Sequence, residues 1–161
     1  MRIIVFFLLL LYTLFIRLPS EIFMKGASSM KFNPDCMRDI LLYLEENLTL
    51  SPDLEIQFIS VQDLSKNLPY PIQEIANMVL VLDDAEFIDA SRFDAGNQIC
   101  ELLVLRITYS GYQLIESIRP QPVWKKIKSI GQNIGSFSTS VILQIASGVL
   151  TPMVNAFLKN P

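Results

Sequence analysis

The chain contains no histidine. That removes the commonest general base near neutral pH, the serine-type triad built on it, and most zinc sites. Its two cysteines, Cys36 and Cys100, have no CxxC spacing. They read as two small buried hydrophobes in a reducing compartment rather than as a redox or metal pair. No lysine or arginine lies between Lys66 and Arg92, and no charged residue lies from Ser129 to Leu158. The first gap argues against a phosphate backbone as partner. The second leaves a long apolar segment that needs a core, a partner or a membrane. There is also no phosphate-cradling glycine loop and no metal-ligand cluster.

The few motifs that resemble chemistry have plainer readings. Asp83-Asp84 is expected to end a helix and begin a turn, Glu45-Glu46 to be a solvated helix end, and Tyr109 and Tyr112 to be packing aromatics at a helix start. No catalytic, cofactor-binding or metal residue is assigned, no cofactor is implied, and the expectation is a protein that is not an enzyme.

What is present is apolar. Of 161 residues, 51% are hydrophobic and the mean hydropathy is +0.39, enough for one domain and a modest core. Net charge is −3; without residues 1–29 it becomes −5, from 10 basic and 15 acidic residues.

Residues 1–29 form a hydrophobic extension with an uncharged run from Ile3 to Ile16 between Arg2 and Arg17. That run is shorter than the ~20 residues of a spanning helix. Three readings stay open. Lys25-Gly26-Ala27 can be encoded with an AGGAG ribosome-binding sequence, two codons before Met30, which makes residues 1–29 a misassigned start. They also fit a signal or anchor segment, or a buried helix. The expected location is cytoplasmic, or membrane-associated if residues 1–29 or 140–158 insert.

From Met30 the pattern changes. Asn33 caps and Pro34 opens a helix whose apolar face is Met37, Ile40, Leu41, Leu44 and Leu48. Leu54, Ile56 and Phe58 alternate as a short strand. Ser60 and Asp63 form a capping box for a two-turn helix that buries Val61, Leu64 and Leu68. After Pro71, Ile75, Met78, Val79 and Leu82 make a clean core face. Phe87–Ala90 and Ile99–Ile107 read as a hairpin turning through Asp94-Ala95-Gly96-Asn97. Thr108 caps a last helix carrying Leu114, Ile115 and Ile118, in which Gly111 permits a close backbone approach.

Helix, strand, helix, helix, hairpin, helix is the winged-helix order. The expected class is α+β, mainly helical: a winged helix-turn-helix-like domain over residues 30–119, then an uncharged tail of apolar and amphipathic helices over 120–161. Ile75, Met78, Leu103, Leu105 and Leu114 are expected to meet in its core.

The segments MKFNPDCMRDILLYLEENL, YPIQEIANMVLVLDDAEFIDA and LRITYSGYQLIESIRPQPVWKKIK resemble the bacterial and prophage domain-of-unknown-function family 2513. The resemblance runs from about Met30 nearly to the C-terminus. It implies a winged-helix-like fold and frequent occurrence in phage or prophage regions. It implies no activity and no site residues, and it supports Met30 as the natural start.

Candidate contacts follow from the pattern. Gln73 and Asn77 lie on the exposed face of the candidate recognition helix, where they can read adenine edges, and Arg92 is the basic residue of the wing. The interval around them holds Glu74, Asp83, Asp84, Glu86 and Asp89, so nucleic acid is disfavoured and a protein partner or homo-oligomer is expected. In the tail, Trp124 beside Lys125, Lys126 and Lys128 suits an anionic membrane surface or a partner. The apolar stretch beyond them also fits packing on the domain or exchange between subunits.

Overall fold

A computed structural model describes residues 30–53, 55 and 57–159. The readings of residues 1–29, and of Leu54 and Ile56 as strand residues, lie outside them. Among the described residues, six helices and three strands follow in order: α1 Pro34–Asn47, β1 Ile59–Ser60, α2 Val61–Asn67, α3 Ile72–Asp84, β2 Ile88–Ala95, β3 Gln98–Ile107, α4 Tyr109–Ile118, α5 Gln121–Ile134 and α6 Thr139–Lys159. The sheet is antiparallel, in the order β1-β3-β2.

The helix starts form as their caps dictate. The Asn33 side chain accepts from the backbone N–H of Asp35 (2.9 Å) and Cys36 (3.2 Å), and Ser60 Oγ accepts from Asp63 N–H (3.1 Å). Such caps contribute about 1 kcal/mol each. At the end of α3, Phe87 N–H reaches Leu82 C=O and Glu86 N–H reaches Asp83 C=O. This paired closure usually takes glycine at its left-handed position; here Glu86 holds it, at φ 60°.

Val61, Leu64, Ile75, Met78, Val79 and Leu82 are buried as their spacing predicts. The strands depart from expectation in two places. Phe58 is exposed and β1 is only Ile59–Ser60, paired with Val104 and Leu103. In β3 the core residues are Leu102, Val104 and Ile107, not Leu103 and Leu105, which are half-buried. The cause is a bulge. Asp89 faces Arg106 and Ala90 faces Val104, so Leu105 is an extra residue, and the period-2 alternation breaks there. The hairpin closes through Gly96-Asn97 alone, with Gly96 at φ 63°, as a two-residue primed turn requires.

The core does not stop at Arg119. Pro120 and Pro122 end α4 but also open α5, whose Val123, Trp124 and Ile127 are buried with the rest. α6 packs on α4 and α5 through Ile142, Ala146 and Val149. Its C-terminal part leaves the core: Val154 is 54% and Leu158 70% exposed. The tail is thus half core and half free surface.

Cys36 is buried, as expected, but Cys100 is exposed on β3. Burial, then the charges of Glu74 and Asp39, push the Cys36 thiol up to about 12. A disulfide-exchange reagent is therefore expected to titrate one thiol rapidly in the native protein and the second only after denaturation. Two rapid equivalents would mean that α1 does not seal Cys36.

Candidate functional site

The surface by which a winged helix would meet a groove of DNA is built by α3 and the β2–β3 wing. α3 presents Gln73 exposed and Asn77 half-buried. The intervening Glu74 is held by the side-chain amide of Asn33, which donates to it from the start of α1. Asp83 accepts the backbone N–H of Ala90 at 2.7 Å, tying α3 to β2.

Three cations of α2 and the wing are matched by carboxylates of their own chain. Arg92 lies 2.7 Å from Asp94, Lys66 lies 2.9 Å from Asp63, and Arg106 pairs with Asp89. Each exposed pair is worth little in stability. Their consequence is in the field: each pair is close to neutral and attracts a phosphate backbone less than a free cation would. Gln73, Asn77 and Arg92 do lie on the α3–wing side, but without phosphate anchors around them.

The tail residues are placed differently from the membrane-facing expectation. Trp124 is 2% exposed. Its indole N–H donates to Asp35 Oδ1 at 2.9 Å, and Lys128 donates to both oxygens of Asp35 at 3.0 and 3.1 Å. The Arg38 guanidinium sits 5.5 Å from the Trp124 ring centroid and donates to the carbonyls of Ile118 (3.0 Å) and Arg119 (2.8 Å) at the end of α4. This joins α1, α4 and α5. Periodicity could not find it, because it depends on which helix faces which. Only Lys125 and Lys126 of the four remain on the outside.

Two apolar hollows accompany these surfaces. One, of about 150 Å³, lies between α3 and the first half of β3 and is lined by Ile72, Ala76, Ile99 and Leu102. The other, of about 400 Å³, lies beyond α1 and is lined by Leu48, Leu50, Leu105 and Tyr112; it is where the bulge directs Leu105. Among the described residues no group of His, Cys, Asp and Glu is placed to hold a metal ion.

The helix order, the β1-β3-β2 sheet and the projecting hairpin define a winged-helix-like protein, α+β and mainly helical. The chain belongs to the family described as "Hypothetical protein (DUF2513)", which matches residues 31–138. That span includes α5, in keeping with a core that continues past Arg119. No curated protein matches the chain. Among solved structures it is similar to one titled "Protein structure of Type III plasmid segregation TubR", at 10% identity over 60% of this chain and 94% of that one, with a TM-score of 0.31.

Proposed function

We propose that the protein acts by binding, as a protein-interaction or self-associating module of the cytoplasm, and carries out no chemistry. The observation behind this is the charge pattern of α3 and the wing. Five acids and no cation lie between Lys66 and Arg92, and those two bounding cations are themselves paired with carboxylates. DNA binding draws most of its nonspecific affinity from lysine and arginine on phosphates, and this face offers none in excess.

An electrophoretic shift over a salt series tests the proposal. Little or no retardation of duplex DNA is expected at about 0.15 M salt. Sequence-selective retardation that weakens steeply with salt, by about 0.9 log unit in affinity per log unit of salt for each phosphate contact, would replace it with a DNA-binding regulator.

A second reading rests on α6. Thr139–Ala156 has a mean hydropathy of 1.3, is long and apolar enough to cross a membrane, and is only 18% buried. Flotation with anionic liposomes tests membrane association directly. Retention on vesicles that is lost when residues 151–161 are removed would favour it.

A further inference from the structure

The sheet has an unfinished edge. β2 pairs with β3 from Gln98 onward, whereas β1 pairs only with Leu103 and Val104. Residues 98–102 of β3 therefore have a strand partner on one side only, among the described residues. The smaller apolar hollow lies along the open side. Val61 and Gln62, which directly follow β1, line it together with Ile72, Gln73 and Ala76 of α3 and residues 99–102 of β3.

The strand is shaped for that hollow. Phe93 faces Glu101 and Asp94 faces Ile99, so Cys100 is the extra residue of a second bulge. An unbroken pleat would send Ile99 and Leu102 to opposite faces. The bulge brings both to the same hollow. Leu102 is buried there, while Ile72 and Ile99 remain 38% and 46% exposed.

We propose that this groove receives an extended, basic segment of a partner protein, which adds to the open edge of β3 in line with β1. An unpaired edge supplies backbone donors and acceptors, and the flanking apolar residues select side chains at alternate positions. The charge of the occupant follows from its surroundings. Glu101 is the one charged residue that lines the groove and is exposed there, and residues 30–161 carry a net −5. The inference rests on the protein-binding function above and names its partner class.

The test uses the full chain, labelled with ¹⁵N, and an octapeptide of alternating valine and lysine. Two controls accompany it: the same peptide N-methylated at alternate residues, and its valine–glutamate counterpart. Expected are amide shifts at residues 99–102 of β3 and 72–76 of α3. Affinity should fall about tenfold or more on N-methylation, which removes strand hydrogen bonds, and the glutamate peptide should not bind. Glu101→Lys should weaken binding several-fold while leaving the thermal midpoint unchanged.

Equal binding of the N-methylated peptide, or no shifts at millimolar peptide, overturns strand addition at this edge. Shifts confined to α6 overturn the groove and leave protein binding standing. Concentration-dependent shifts at residues 99–102 without peptide give the edge to a second copy and overturn the basic partner. DNA retardation in the salt series removes the protein-binding function itself.

Discussion

Replacing Gly111 with alanine is expected to cost about 3 kcal/mol or more, because the added methyl has no room and its nearest neighbour is backbone. A Cβ at this position would lie 2.0 Å from the Phe87 carbonyl oxygen and 2.7 Å from Ile107 Cγ2. The carbonyl cannot swing aside, since it accepts the backbone N–H of Thr108 at 3.0 Å. The neighbouring Glu86 carbonyl accepts the Thr108 hydroxyl at 2.6 Å, and that same hydroxyl caps α4 by accepting Gly111 N–H at 3.1 Å. Relieving the clash therefore pulls on the α4 cap, on the α3–β2 corner and on Glu86 at its positive φ together. Thermal unfolding should show the midpoint lowered by about 10 °C, or no cooperative transition. Gly148→Ala is the control. Nothing lies within 4 Å of its Cβ position, and α6 is helical there, so a gain of about 0.5–1 kcal/mol is expected. Equal midpoints for the two variants would show that α4 does not approach Phe87 as described.

Gly111 also marks how far the sequence can be read. The close approach is legible because a glycine three residues after a capping threonine, inside an apolar helix, has few other reasons to be there. The helices are legible for a similar reason: Asn33, Ser60 and Thr108 act locally, and the face Ile75, Met78, Val79 and Leu82 repeats at 3.6 residues. The strands are less so. A bulge leaves no local signature, and one at Leu105 is enough to exchange Leu103 and Leu105 for Leu102 and Val104 in the core. Cys100 reads as a buried hydrophobe by residue type, yet it lies in the projecting part of the hairpin, where every residue from Ser91 to Glu101 is exposed. At the candidate site, the lack of cations is fully visible in the sequence. The pairing of Arg92 with Asp94 is hidden there because the pattern ends the first strand at Ala90, whereas β2 runs to Ala95 and sets these alternate residues on one face. The open edge of β3 is hidden too, since it depends on where β1 ends. The tail departs from its sequence reading for a physical reason. Tryptophan beside lysines has one composition whether it meets a membrane or a carboxylate of the same chain, and only the packing of α5 on α1 brings Asp35 within reach.

That last difference gives the second large effect. Trp124→Ala is expected to cost about 3–5 kcal/mol, the range for emptying a large aromatic from a core. The loss has three parts: the packed ring, the indole hydrogen bond to Asp35 and the contact with Arg38. Trp124→Phe keeps most of the packing, loses the donor, and should cost about 1–2 kcal/mol. Lys125→Ala and Lys126→Ala, on the exposed side of α5, should stay within about 0.5 kcal/mol of the parent. Because Trp124 is the only tryptophan, its emission reports directly: it should be blue-shifted in the native protein and move red as the chain unfolds in urea. A membrane-facing Trp124 would behave in the opposite way. Its emission would be red-shifted in buffer and move blue on adding anionic vesicles, and alanine would abolish flotation while sparing stability. The buried arrangement instead leaves the outer side of α5, with Lys125 and Lys126, and the free part of α6 as the tail's exposed surface. Loss of vesicle retention on removing residues 151–161 would place a membrane contact in α6, whereas emptying the Trp124 site is the change that alters folding.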